Sequence, residues 1–390
     1  MIATAGQGQT NAKLLVISHS AVVSGYRERF AEIVRQGGPE ITLLAPKRWR
    51  QFNAEVSLGS TSGLNYRVIP RQPVSWGLKN HGLRNVTHIH RGLRRLIRDL
   101  RPDIVEIWAE PFAAVTAQAV RGVSRFFPPA RIIFFSAQNI RRNYPPPFSF
   151  FERYTYRHAD FAFPINSETE KILREKGWRK QSLVLPMGIN PDHFRKTDSP
   201  LLRRRLGLTG FTVGFLGKFD SQKGIPDLIR AVSQLSGECK LLLVGQGPLK
   251  SRLLRLAGEL GVREKIRIID PVGYDQLPAY LNCMNVLALP SITLPGLKEQ
   301  FGRVLVEAMS CGVPVIGSDS GEIPNVVGDG GLIFPEGDVE ALRDRIVGLR
   351  ENPETAAELG RKGRQRVERE FTWETIARRQ IEVYNQLLER

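Results

Sequence analysis

The chain has 390 residues, 42% of them apolar, which is enough for two domains that each bury a core. Its three cysteines, Cys239, Cys283 and Cys311, form neither a disulfide framework nor a zinc pattern, so the composition points to a reducing compartment. With 56 basic against 39 acidic residues the net charge is +17, and such a balance asks for an anionic partner: a nucleotide phosphate, a nucleic acid or an acidic membrane surface.

The opening MIATAGQGQTNAK lacks the apolar core of a signal peptide. Its GQGQT (6–10) reads as a flexible tail, since a phosphate loop needs a preceding strand and a following Gly-Lys-Ser/Thr. No run reaches the roughly 18 apolar residues of a membrane span. KLLVIS (13–18) predicts the first strand, His19 to Gly25 a loop, and 26–35 a helix. Strand patterns then recur at ITLLAP (41–46), DIVEIW (103–108), RIIFFS (131–136), FAFPIN (161–166) and SLVLP (182–186), with helical patterns between them. Alternation of this kind predicts an α/β domain with a mostly parallel sheet. The turn-rich MGINPDHFRKTD (187–198) precedes a second series from Phe211, so domains of 1–192 and 193–372 are expected.

Within the first domain, Leu83, Val86, His90, Leu93, Ile97 and Leu100 repeat at helical spacing while Arg84, Arg91, Arg94, Arg95, Arg98 and Arg101 crowd the other faces. One basic amphipathic helix over 84–101 would either dock on an anionic membrane or pack on the sheet with its arginines solvated. The loop RRNYPPPFSFFERYTYR (141–157) suits an acceptor rim or a rigid surface loop equally. Glu106 and Glu110 flank Trp108 at a strand end, Glu110-Pro111 being the better candidate to meet a substrate hydroxyl.

In the second domain VGFLGKFDSQKG (213–224) reads as a buried strand ending in a glycine turn that carries Lys218 and Lys223. Strand C-termini face the ligand crevice of an open parallel sheet, so both ammonium groups are expected there. Further on, KEQFGRVLVEAMSCGVPVIGSDSG (298–321) predicts a helix over 303–310 with Gly302 at its mouth and Gly312 beyond its end. The first N–H groups of a helix lack internal acceptors and carry partial positive charge, so Gly302, Arg303 and Val304 form a phosphate cradle. Glu299 and Glu307, one on each side, would repel a phosphate but accept two hydrogen bonds from a diol. A diphosphate between polyhydroxylated rings, a nucleotide sugar, fits that arrangement; either carboxylate alone is equally an ordinary solvated residue. LLLVGQGPLKSRL (241–253) offers Gly245 and Gly247 without a third glycine or the later acidic residue, which argues against a dinucleotide oxidoreductase. A nucleic-acid binder would use the charge, yet no recognised nucleic-acid motif is present.

Taken together, GKFDSQKG, LLLVGQGPLKSRL, the Glu299/Glu307 pair within EQFGRVLVEAMSCGVPVIGSDSGEIP, GGLIFPEGD (330–338) and FTWETIARRQIEVYNQLL (371–388) resemble retaining glycosyltransferases of family 4, of the glycosyl transferases group 1 type. The resemblance covers most of 211–388 and is weaker before it. It implies the GT-B architecture, two Rossmann-like domains facing each other across a cleft, with a final helix (373–390) that packs back on the first. It further implies that Lys218 and Lys223 hold the diphosphate and Glu307 the donor ribose. Glu299 would contact the donor sugar, and the Phe301–Val304 backbone, with the Gly217 and Gly245 turns, the phosphates. Lys218 stands where the family usually has arginine, a point charge in place of a fork. Asn325 and Glu322 depart from the pattern where many members carry Glu and Gly. Gln138 and Asn139 occupy the stretch where many relatives place a histidine; such amides bind sugar hydroxyls but shuttle no proton. With His19, Gly25 and Glu110 they are the expected acceptor or sugar contacts. The implied reaction is transfer of a sugar from a nucleotide-diphosphate donor to a lipid-linked or polysaccharide acceptor, with no cofactor and no metal, in the cytoplasm or at the inner membrane face. A GT-B phosphorylase or sugar-nucleotide epimerase remains the alternative.

Overall fold

The computed structural model describes residues 11–51, 54–76 and 81–390. The GQGQT segment lies outside them. The chain divides into two compact units, one running to Gly188 and resumed by Trp373–Arg390, the other Ile189–Thr372.

Among its described residues the first unit holds six parallel strands in the spatial order Arg67–Pro70, Glu40–Ala45, Lys13–Ser18, Ile104–Trp108, Arg131–Ser136 and Phe161–Pro164. In chain order, counting only these strands, that is 3-2-1-4-5-6; a short antiparallel pair, Arg48–Gln51 with Ala54–Ser57, stands apart. The central strands are buried on both faces and so read as apolar runs, LLVI and IVEIW, the second broken by Glu106. One side of the sheet packs Phe30 and Ile33 of the helix Ser24–Arg35 against Ile376, Tyr384 and Leu387 of the last helix, Trp373–Leu388. Leu93, Ile97, Val120 and Trp178 cover the other side.

The second unit repeats the plan. Its strands lie in the order Ile266–Ile269, Cys239–Val244, Phe211–Leu216, Val286–Leu289, Val315–Ser318 and Gly331–Phe334, all parallel. Both units therefore carry the Rossmann order, with a switch point beside the first strand where successive crossovers diverge. Local signals set the helix ends: Asn166 Oδ1 accepts from Thr169 N at 2.7 Å and Asp338 Oδ1 from Ala341 N at 2.9 Å.

Four expectations are corrected. The first domain ends at Gly188 and not at 192, because the residues after it bond into the second unit. Ile189 N donates to Phe371 O, and Phe194 O accepts from Ser310 Oγ and from Arg364. SLVLP is not a strand; Ser182 alone bridges Ala162. The helix expected from 26 begins at Ser24, which draws Gly25 out of the loop and buries it in the first turn. The single basic helix over 84–101 is instead two, His81–Thr87 and Leu93–Leu100. Between them Ile89 pairs with Val74, and Gly92 turns left-handed at φ 72°. The rotation breaks the predicted stripe: Leu83 is exposed, whereas His90, Leu93 and Ile97 are buried.

Candidate functional site

In the second unit the loops that follow the first and fourth strands flank the switch point, and they carry the expected residues. Lys223 Nζ lies 2.5 Å from Glu299 Oε2, and Ser291 Oγ donates to the same oxygen at 2.9 Å. The carboxylate is thus shared between an ammonium and a hydroxyl in a nearly buried position. Its backbone is fixed as well, Glu299 O accepting from Glu322 N at 3.3 Å. Lys218 is placed differently. It is more exposed and pairs with Asp220 at 3.3 Å, so it does not join the Lys223–Glu299 contact.

Gly217 and Gly245 end adjacent strands and come into backbone contact; a Cβ on Gly245 would fall 1.9 Å from Gly217 O. Gly302 caps the helix Arg303–Ser310 in the left-handed region at φ 75°, which only glycine adopts without strain. Phe301 before it is buried edge-on against Phe371, and Val304 is half-buried in the first turn. One turn into the helix, Glu307 is 5% exposed and forms an ion pair with Arg303, Nε to Oε1 2.9 Å. Burial pushes the Glu307 carboxyl up, and the Arg303 charge opposes that shift. The Arg303 guanidinium in turn lies 5.8 Å from the Tyr274 ring, which stacks on His193.

In the first unit Glu110 sits just beyond the fourth strand, at the corresponding switch point. Its carboxylate accepts from Ser136 Oγ at 2.7 Å and from Ala137 N at 2.8 Å. Burial lifts it to about 7, against the pull of those two donors. Nearby, Gln138 Nε2 donates to Tyr144 OH at 3.2 Å, Asn139 is buried, and Tyr144 stacks on Phe112. His19 follows the first strand, packed between Trp49 and His88 at ring distances of 5.2 and 5.0 Å. Burial, then the charges of His88 and His90, lower it to about 3, so it is a neutral packing group rather than an acid. Gly25 lies inside its helix and presents no side chain. Glu106 is corrected from a site candidate to a structural group, fully buried and bonded to Trp108 Nε1, Gln380 and Tyr384 OH.

Three groups escaped the sequence reading. Arg303 was read for its backbone alone; its side chain could have been found, since Arg and Glu at i,i+4 face each other on a helix. Ser291 carried no local signal, because a loop folds it back onto Glu299. Ser136 was likewise silent, reaching Glu110 only through strand pairing.

Two parallel sheets of like order, with cations and carboxylates at the switch point of the second, are the arrangement of the GT-B fold. Residues 201–366 match the family model described as glycosyl transferases group 1. A GDP-mannose-dependent alpha-(1-6)-phosphatidylinositol monomannoside mannosyltransferase of Mycolicibacterium smegmatis is 29% identical over 391 residues, 93% of this chain and 94% of its own. A related enzyme of Corynebacterium glutamicum, acting on the monoacylated compound, is 32% identical over 206 residues, and the match spans 50% of this chain and about half (54%) of that relative's length. Among solved structures, sucrose-phosphate synthase of Thermosynechococcus elongatus superimposes with TM-score 0.73 at 22% identity, covering 97% of this chain and 99% of its own. HepE of Anabaena in complex with UDP gives 0.74 at 18% identity, covering 96% and 100%. The family match thus falls on the second unit, and over nearly its whole length the chain shares the fold of these structures.

Proposed function

We propose that the protein is a retaining, family 4 hexosyltransferase that moves a sugar, mannose from GDP-mannose in the first instance, to a lipid-linked or polysaccharide acceptor. The observation that carries the reading is the Lys223–Glu299–Ser291 contact beside the helix that presents Glu307. The donor and the lipid acceptor come from the names of the mannosyltransferase relatives.

Donor binding orders the site in the following way. The diphosphate meets Lys218, Lys223 and the N-terminal amides of the helix, with the Gly217 and Gly245 turns admitting its close approach. Glu307 accepts the ribose hydroxyls and Glu299 those of the transferred sugar. As the glycosidic bond breaks, charge grows on the leaving phosphate, and fixed cations stabilise it more than the ground state. The acceptor oxygen bonds to the anomeric carbon on the face that the phosphate leaves, and the phosphate takes its proton, which retains configuration. Lys218 and Lys223 supply positive charge that a metal would otherwise bring, so transfer is expected to survive chelators. Glu110 and Gln138 orient the acceptor hydroxyl.

Among the described residues no helix is long and apolar enough to cross a membrane. Exposed Arg91, Arg94, Arg95 and Arg98, with half-exposed Trp76 and Leu83, suit an anionic bilayer, and we place the enzyme at the inner face of the membrane. Sedimentation with anionic but not neutral vesicles tests this.

Thermal shift against GDP-, UDP- and ADP-sugars tests the donor. A bound ligand at about 100 times its Kd adds roughly 2.7 kcal/mol. Product analysis with labelled GDP-mannose then separates transfer from phosphorolysis or epimerisation; no stabilisation by any nucleotide sugar sinks the reading. Glu307→Ala is expected to raise the donor KM while kcat changes little. Hydrogen bonds to a charged group contribute about 1.5–3 kcal/mol, so the rise is roughly tenfold or more. Steady-state kinetics over donor concentration read it directly.

A further inference from the structure

We propose that Arg303 is a positioning residue for the donor ribose, holding the Glu307 carboxylate ionised and aimed so that it accepts the two ribose hydroxyls at neutral pH. The inference rests on the reading of Glu307 as the ribose contact and goes beyond it, to what makes that carboxylate competent.

The geometry carries the argument. Glu307 lies on the buried side of a short helix, where a carboxylate without a partner takes up a proton. A protonated carboxyl keeps only part of its acceptor capacity and offers one O–H donor, so it no longer matches a diol that presents two donors. Arg303 stands one turn earlier on the same face, its Nε 2.9 Å from Oε1, and both side chains are largely withdrawn from solvent at 19% and 7%. A guanidinium keeps its charge at any pH the enzyme meets. The Tyr274 ring, stacked on His193 at 4.6 Å, backs the guanidinium and limits its swing. A carboxylate has about four lone-pair sites, so one ion pair leaves room for a diol.

The other titratable groups around the pair are few. Cys311 follows on the same chain segment, its thiol pushed up to about 12 by burial and then by Glu307. Arg364, from the helix Pro353–Glu370, is spent on the carbonyls of Pro191, Phe194 and Ser310. Tyr274 and His193 lie behind the guanidinium. Burial raises the Glu307 carboxyl, and Arg303 is the one group that opposes it directly. Removing Arg303 therefore raises it further. The protonated fraction then grows as pH falls, and ribose binding weakens with it.

Calorimetric binding of GDP and of its 2′,3′-dideoxy analogue, between about pH 6 and 8, tests this on the full chain. Wild type is expected to prefer GDP with a Kd ratio that changes little with pH. In Arg303→Met the preference should fall toward unity as pH drops, losing up to about tenfold per pH unit. Arg303→Lys retains a charge and should restore most of the pH-independent preference. Glu307→Gln, which mimics the protonated carboxyl, should lack the preference at every pH, with or without Arg303. A wild type that binds both nucleotides equally overturns the ribose reading and the inference with it. A wild-type preference that Glu307→Gln abolishes but Arg303→Met preserves across the pH range overturns the inference alone. Equal loss in Arg303→Met and Arg303→Lys at all pH values also overturns it, since that is the signature of a packing role.

Discussion

Lys223→Ala is expected to lower kcat by about two orders of magnitude or more while donor KM changes much less. Lys223 is the lysine in contact with Glu299, at 2.5 Å and mostly shielded from solvent, so its charge is already fixed in direction before the leaving phosphate develops its own. A fixed charge costs no reorganisation at the moment of bond breaking, which is why such groups are worth more in the transition state than in the ground state. Substitution also takes the Lys223 ammonium away from Glu299, an acid near the transferred sugar. Lys218→Ala should cost less, because that ammonium is more exposed and pairs with Asp220. Lys223→Arg keeps the charge but spreads it over a planar fork, and an intermediate kcat is expected. Single-turnover kinetics at saturating donor provide the check. A variant whose donor KM rises at unchanged kcat would show that Lys223 binds ground state and transition state alike, and the leaving-group role would be lost.

How far the sequence spoke depended on whether a feature is local. The helix Arg303–Ser310 was legible to the residue, because its mouth and its end are both marked by glycine and the apolar run between has one length. The strands were legible as apolar runs, and the alternating pattern implied parallel pairing. Where the reading failed, a long-range contact overrode a local pattern. The amphipathic stripe from Leu83 to Leu100 has good helical spacing, yet a single bridge between Ile89 and Val74 interrupts it. SLVLP has the composition of a strand but finds one bridge and no ladder. Glu106 looked like a site residue because it neighbours Glu110; alternation would give the two carboxylates one face, but the strand stops at Trp108, which leaves Glu106 within the sheet beneath the last helix and Glu110 beyond the strand end. At the donor site both carboxylates were marked by their spacing, whereas Ser291 was not, since nothing in SITLPGLKE says that the loop returns its first residue to its ninth.

Arg29→Met should destabilise the first unit by about 3 kcal/mol, at the lower end for removal of one partner from a buried charge pair. For a unit of this size that is a fall of roughly 6–12 °C in Tm. The Arg29 guanidinium stacks 3.2 Å over the Trp108 ring, and Trp108 Nε1 bonds the fully buried Glu106 carboxylate. Tyr384 OH donates to that carboxylate at 2.5 Å, and Gln380 lies at 3.4 Å, so the last helix is tied to the sheet through one acid. Burial raises the Glu106 carboxyl, and the Arg29 charge is the foremost influence holding it down; burial also lowers Arg29 itself, to about 10. The sign follows from which state binds the proton more tightly. With Arg29 gone the native carboxyl rises further above its unfolded value, so the folded state holds the proton better than the unfolded state does. The loss of stability is therefore largest above the raised native value and shrinks as pH falls through it. Urea titrations of wild type and Arg29→Met at several pH values measure this, provided the two units are resolved by separate probes. In the double variant Arg29→Met/Glu106→Gln the buried charge is absent, and part of the loss should return, with no remaining dependence on pH from this site. A single variant as stable as wild type, or a double variant equal to the sum of its singles, would mean that the packing of Trp373–Leu388 and not this charge network fastens the final helix.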